Sequence, residues 1–430
     1  MKGKFISCLL GSVIATSAFA DDGTLNVWAR YGNNEIYTVG RLMTAFTDKT
    51  GIQVELFTEI NDFETRLARA TAGRKLPDIV LNDSGAMGQM KEMGILLPVD
   101  RSAIKGGEDV LESAWRSMQA NDKNYYGVPF SAQAFALFIR KDWREKLGYD
   151  VPKNWEELYE LAKAFTEKDP DGNGKNDTYG YIMALSTTRG YTSWSLSDFI
   201  WQAGGQFMEK TATGFKSSLA TPETEKAMTY ARKIICDGYA QPSAITSTTT
   251  DAAPSFITGQ AGMYRTGPYM INHFNSKPGK GVFEVVLPPA GPAGGQSLAE
   301  GSSVYMLKGG NTDAAKKFVE FIISEEGQRI GMSEGVKPVT GYSNIVRNSV
   351  NKNISTTSVY NDPSWDLFSE QLATDGVYFP SVPNWVPFRR ITAEGFNKIM
   401  SSCSSDVMGI LKDLDKEVNA ELARQDVLAK

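Results

Sequence analysis

The stretch TLNVWARYGNNEIYTVGRLMTAFTDKTGIQVELF, residues 24–57, decides the fold class. Thr24 to Ala29 is a short apolar run suited to a strand. From Tyr37 to Lys49, the residues Val39, Leu42, Met43 and Phe46 recur at helical spacing, and Gly51 stops the helix. Ile52 to Phe57 then alternates as a strand. The pattern continues outward from there. Phe63–Ala72 reads as a helix ended by Gly73, Ile79–Leu81 as a buried strand, and Met87–Met93 as a helix ended by Gly94. Strands alternating with helices predict parallel pairing in an α/β fold, with both sheet faces covered.

Further on, Tyr126–Arg140 holds two apolar runs around Ser131-Ala132-Gln133. Asn154 with Glu157 three residues later predicts a capping box. Thr221-Pro222-Glu223 opens another helix, with a hydroxyl at the cap and proline in the first turn. Met263–Arg265 and Phe283–Leu287 read as strands. Thr312–Ser324, Glu394–Met400 and Val407–Leu422 read as helices. Pro288–Gly295 and Ser243–Thr250 are weak linkers, and no internal repeat is visible.

The chain has 430 residues, 22% of them charged and 41% hydrophobic, which excludes wholesale disorder and a polytopic membrane protein. Lys plus Arg is 45 against 50 Asp plus Glu, and no long basic run occurs, so nucleic acid is a poor partner. The single histidine, His273, leaves little room for a His-ligated zinc site or a Ser-His-Asp triad. Lys2 and Lys4, an apolar run to Ala20 and the A-x-A form of Ala18-Phe19-Ala20 predict a cleaved secretory signal over residues 1–20. No later stretch reaches about 18 apolar residues. The mature protein is therefore expected to be exported and soluble. Cleavage leaves Cys236 and Cys403, which form either a disulfide or two separate buried thiols.

Asp169 to Asp177 (DPDGNGKND) has calcium-loop spacing. Asp169, Asp171, Asn173 and Asp177 fall at positions 1, 3, 5 and 9, Gly174 at 6, and Lys175 offers its carbonyl at 7. Gly180 stands where the bidentate glutamate belongs. The loop is either a structural calcium site or a metal-free turn; no other cofactor is expected.

Six segments, in order, resemble the carbohydrate-binding proteins of ABC importers, an extracellular solute-binding family that includes maltose-binding protein. They are Thr44–Val54 (TAFTDKTGIQV), Ala70–Val80 (ATAGRKLPDIV), Glu92–Asp100 (EMGILLPVD), Tyr126–Asp142 (YGVPFSAQAFALFIRKD), Val151–Ala162 (VPKNWEELYELA) and Phe256–Tyr269 (FITGQAGMYRTGPY). Ile139-Arg140 replaces the family's usual Tyr-Asn. The resemblance implies a two-lobe periplasmic-binding-protein fold of type II with three hinge crossings. These are expected near Phe130–Gln133, between Val286 and Pro289, and near Glu334–Pro338. The lobes would then be 21–131 with 288–336, and 132–287 with 337–430. It also implies a monomer that closes on a saccharide and delivers it to permease subunits in the inner membrane.

Ligand residues are expected in loops at strand ends. After the first strand these are Arg30, Tyr31 and Asn33; after the third, Asn82 and Asp83; at the first crossing, Gln133. The second lobe would offer Tyr191 and Trp194 from a loop-like stretch, Tyr269 as a stacking face, and Arg265 beside it. Glu300 and Ser302 lie in a glycine-bounded turn, and Trp385 with Arg389 in a late capping segment. Each has a plainer reading as a turn, a helix cap or core. Trp28, Trp115, Trp143 and Trp155 are expected in the core. Arg30, Arg189, Arg265 and Arg389 leave room for an acidic sugar. The alternative activity is a secreted glycoside hydrolase using paired carboxylates.

Overall fold

In the computed structural model, β1 (Leu25–Ala29) lies between β2 (Val54–Thr58) and β3 (Ile79–Asp83), parallel to both. Residues 23–32, 35–60, 62–120, 122–334 and 344–430 are described. The expected signal segment, Asn33, and the third expected crossing beyond Glu334 lie outside the described residues.

The helix Ile36–Thr50 buries Val39, Leu42, Met43 and Phe46 against this sheet. It ends at Gly51, whose φ of 76° suits glycine and whose N–H reaches the Thr47 carbonyl. The helix Phe63–Ala72 falls where the sequence periodicity puts it. Asn154 caps the helix Trp155–Glu167 by accepting the Glu157 N–H at 3.0 Å. Glu157 returns to the Lys153 N–H, one residue before the cap, rather than closing the expected box on Asn154 itself.

A long strand closes the first sheet. β11 (Ser297–Met306) runs antiparallel to β3 and to β4 (Val128–Ala134), and β12 (Gly376–Val377) pairs parallel with its start. The second sheet has the order β10 (Phe283–Val286), β5 (Ala136–Arg140), β9 (Ala261–Thr266), β6 (Tyr179–Ile182). β5 is antiparallel to both neighbours, and β9 is parallel to β6. A small hairpin, β7 (Met208–Lys210) with β8 (Phe215–Ser217), stands apart.

Each sheet has its own core. Val27, Phe46, Ile79, Phe130, Val304 and Phe318 pack together on the first. Leu137, Trp143, Phe165, Leu196, Phe199 and Met263 pack on the second. Phe135 alone separates β4 from β5. The loop between β10 and β11 lies on the second body: Ala290 exchanges backbone bonds with Lys153 and Trp155, and Ala293 N–H reaches the Gln202 carbonyl. Ile345, Val346, Val350 and Ile354 belong to the first core, whereas Trp365 and Phe368 pack with Phe138 and Phe256 on the second sheet.

Two helices differ from the sequence reading. Tyr191 and Trp194 stand in the first turn of a helix, Tyr191–Gln202, not in a loop. Nearly every side chain of that helix is buried, so it has no polar face to give a helical period. The late helix runs Val386–Met400, starting well before Glu394. Among the described residues no helix is long and apolar enough to cross a membrane.

Cys236 and Cys403 are disulfide-bonded, with Cα atoms 5.8 Å apart. The bond ties the end of the helix Pro222–Cys236 to the loop after Val386–Met400, closing a sequence separation of 167 residues. Replacing both cysteines by serine should lower unfolding free energy by about 2–5 kcal/mol. Urea unfolding of the oxidised protein and the double variant measures this; coincident curves would contradict it.

Candidate functional site

Side chains from both bodies meet where the two sheets adjoin. On the first body, Arg30 follows β1 and Asp83 ends β3, and their charges join at 2.8 Å. Asn82 spends its carbonyl on the Asp83 N–H, and its amide nitrogen is buried without a hydrogen-bond partner. From β4, the Gln133 amide donates to Glu300 on β11, and the Gln133 carbonyl is likewise buried and unpartnered. Ser302 sits opposite Asp83 and Ser131 in the register of β11.

The second body faces these groups. The Trp194 indole N–H donates to the other Glu300 oxygen at 2.9 Å, and its ring packs edge-on against Phe135 at 4.3 Å. Tyr191 stands edge-on to Trp194. Tyr269 accepts from the Thr266 hydroxyl at 3.0 Å and lies beneath the Arg347 guanidinium at 5.8 Å. Its ring fits only because Gly267 has no side chain: a Cβ there would come within 2.3 Å of it.

The rim is closed by polar contacts between the bodies. Arg189 donates to the Ile60 carbonyl at 3.0 Å and pairs with Glu64 at 3.1 Å. Asn384 donates to Glu92 at 2.6 Å. The backbone of Pro383 lies so close to Gly88 that a Cβ there would meet its carbonyl at 2.0 Å.

Electrostatics differ sharply within this cluster. Burial pushes the Asp83 carboxyl up, but Arg30, Arg189, Arg389 and Arg347 together hold it below the usual aspartate range. Glu300 goes the other way: burial and the nearby Asp83 charge raise it. Burial lifts the Tyr31 hydroxyl to about 12 and raises Tyr269 further. Burial and the like charge of Arg189 lower Arg389.

Tyr31, Asn82, Asp83, Gln133, Tyr191, Trp194, Tyr269, Glu300, Ser302 and Arg389 thus gather around one junction. Three expected contributors have other partners or places. Arg265 is buried, pairs with Asp198, and donates to the Ser195 carbonyl at 2.6 Å. Trp385 is stacked on Phe379 at 4.6 Å in the second core. Asn33 is not described. Arg347, Glu64 and Asp198 escaped the sequence reading. Glu64 had shown only as a helix residue, and Arg347 lies in a stretch with no periodic pattern. Of the tryptophans expected in the core, Trp115, Trp143 and Trp155 are buried, and Trp28 packs partly buried against Phe57 and Phe63.

The Asp169–Asp177 loop is a tight turn held by its own hydrogen bonds. The Asp169 carboxylate accepts the N–H groups of Gly172, Asn173 and Gly174. Asn173 turns its amide nitrogen toward Asp171 and Asp177, and its carbonyl takes the Lys175 N–H. The Lys146 ammonium rests on the Pro170 carbonyl at 2.9 Å. These bonds close the turn on itself, and among the described residues no group of three acidic, histidine or cysteine side chains is arranged to hold a metal.

Two α/β lobes that meet over aromatic rings and planar polar groups have the arrangement of a protein that binds small solutes between its lobes. The model of the bacterial extracellular solute-binding proteins matches residues 33–329, and the chain belongs to that family. Its members are binding proteins of ABC importers, and this chain is a binding protein rather than a hydrolase. A Brucella abortus protein is 27% identical over 338 residues, covering 77% of this chain and 76% of its own. The polygalacturonan/rhamnogalacturonan-binding protein YtcQ of Bacillus subtilis is 34% identical over 158 residues, 33% of this chain and 28% of that protein. The maltose-bound MalE3 structure of T. maritima superposes with a TM-score of 0.77 at 21% identity, over 93% of this chain and all of that one, and shares the fold.

Arg265 and Asp198 have side-chain exposures of 7% and 1%. Removing one partner strands the other charge in the interior. Arg265→Ala should therefore cost about 3–5 kcal/mol of stability. Denaturant unfolding tests this, and a loss below about 1 kcal/mol, the range of an exposed pair, would show the charge to be solvated.

Proposed function

We propose that the protein is a monomeric periplasmic receptor that captures a saccharide between its lobes and presents the closed form to permease subunits in the inner membrane. Support comes from the family, from YtcQ and MalE3, which bind saccharides, and from the chemistry of the junction. A sugar offers C–H faces and hydroxyls. Trp194 and Tyr269 supply aromatic surface, worth roughly 0.5–1.5 kcal/mol per ring beyond area by analogy with aromatic pairs. Asp83, Gln133 and Glu300 supply planar acceptors and donors, and hydrogen bonds to charged groups contribute about 1.5–3 kcal/mol each. The observation that carries the reading is the meeting of Trp194 from one lobe with Gln133 and Glu300 of the other. Beside it lie the unpartnered Asn82 amide and Gln133 carbonyl.

In this reading the chain changes lobe at Phe135, within 287–296 and within 355–364, each at or after the motif-based expectation. Export rests on the residues 1–20, cleaved after Ala20. The mature protein from a periplasmic extract should have the mass of a chain beginning at Asp21. Recovery of the full-length chain in the membrane fraction would refute the export route.

Thermal unfolding against a saccharide panel tests the receptor. A ligand at 100 times its dissociation constant should add about 2.7 kcal/mol of stability. The sugar should be recovered unaltered, and Tyr269→Ala should weaken it roughly tenfold, the loss of about 1.4 kcal/mol. Degraded sugar would restore the hydrolase, and no response to any saccharide would remove the sugar.

A further inference from the structure

Four arginines enter the cleft, and three of them have acidic partners. Arg30 pairs with Asp83 at 2.8 Å and approaches Glu64 at 3.8 Å. Arg189 pairs with Glu64 at 3.1 Å and approaches Asp83 at 3.7 Å. Arg347 lies 3.8 Å from Glu35. The fourth, Arg389, is half-buried, and its guanidinium has no hydrogen bond or ion pair among the described residues.

Its position is built rather than loose. Arg389 stands on the helix Val386–Met400, which is fastened to the helix Tyr191–Gln202 by Thr392 and Ser193 at 2.9 Å. Its stem crosses the backbone of Gly190, where a Cβ would lie 2.1 Å from its Cγ and 2.8 Å from its Cδ. Gly190 has a φ of 77°, which a side chain would also oppose. The glycine thus leaves a slot through which the arginine reaches the Arg189–Tyr191 turn. There it feels Arg189 and Arg30 as like charges, and Asp83 and Glu64 only as shared acids.

A partly desolvated guanidinium without a counter-charge is costly, and a bidentate oxyanion is its natural partner. We propose that the saccharide of this receptor carries a carboxylate, as a uronate does, and that Arg389 receives it. This inference rests on the saccharide reading above and deepens it. The carboxylate supplies the counter-charge that Glu64 and Asp83 already give to Arg30 and Arg189. The rings of Tyr191 and Trp194, on the adjoining turn, are placed for the pyranose face.

Calorimetric titration with galacturonate and digalacturonate, their methyl esters, and the matching neutral sugars tests this. The acids should bind, and esterification, which removes the charge and keeps the shape, should weaken them at least tenfold. Arg389→Gln should weaken the acids tenfold to a hundredfold and leave neutral sugars unchanged, with Arg389→Lys in between. Arg390→Gln, whose parent arginine is exposed and paired with Glu394, serves as the control and should change nothing. Neutral sugars binding as tightly as the acids would overturn the inference and leave the receptor standing. So would equal losses for both ligand types in Arg389→Gln. Absence of binding by acids and neutral sugars alike, in protein with a cooperative unfolding transition, would remove both readings.

Discussion

The Asp198 carboxylate holds the junction of the two lobes. It accepts the Leu298 N–H at 2.8 Å from β11 and pairs with Arg265 of β9, so one buried group on the helix Tyr191–Gln202 grips both sheets. The same guanidinium donates to the Ser195 carbonyl and lies over the ring of Phe135, the residue between β4 and β5. A buried ion pair gains little over apolar packing in net stability, but it is demanding in geometry. That demand is useful here. Trp194 is one turn from Asp198 on the same helix, and its bond to Glu300 depends on the helix keeping its height and rotation against β11.

β11 carries the consequence along its length. Leu298, near its start, packs in the second core, and Val304 and Met306 near its end pack in the first. Glu300 and Ser302 lie between, at the cleft. The pairing with β4 slips between Ser302 and Ser303, a bulge just past the junction residues. Gly301 permits the close pairing there, since a Cβ would stand 2.5 Å from the Ser131 carbonyl. A strand shared by two cores leaves few places to bend. Between β4 and β5 only Phe135 separates the two sheets, and the chain before Ser297 and between Ile354 and Trp365 also passes from one body to the other.

What could be read in the sequence followed from how much of each element is exposed. The helices Ile36–Thr50 and Phe63–Ala72 have one buried and one wet face, and their spacing is plain. The helix Tyr191–Gln202 is buried nearly all round and gave no period. Site residues were legible by place and not by partner. Asp83, Gln133 and Tyr269 fall at or just past strand ends and Trp194 on the helix beside them, whereas Glu300 and Ser302, expected in a turn, lie inside β11, whose backbone is paired on both sides; they do gather. Arg265 occupies the same kind of place, yet its partner lies 67 residues earlier, and nothing local announces it. The Asp169–Asp177 spacing is a different case. Its oxygens suit a cation by count and also accept nearby backbone N–H groups, so the same spacing serves a calcium site and a metal-free turn alike.

The cleft therefore contains two kinds of polar group, and they do different work. Arg30 pairs with Asp83 within the first body, and Arg189 pairs with Glu64 between the bodies. Such pairs bring little affinity for a solute, because a solute that displaced them would have to replace a charged bond already made. Their contribution is shape: the first pair braces the first body, and the second spaces it from the other. The Asn82 amide and the Gln133 carbonyl are different, since they are buried without a protein partner; the half-buried Arg389 guanidinium has no hydrogen bond or ion pair among the described residues. A buried polar group without a partner costs free energy, and a ligand that pairs it recovers that cost in full. Selectivity should follow the same division. A solute that leaves one of these groups unpaired loses a whole bond, whereas a change against the paired walls alters only fit.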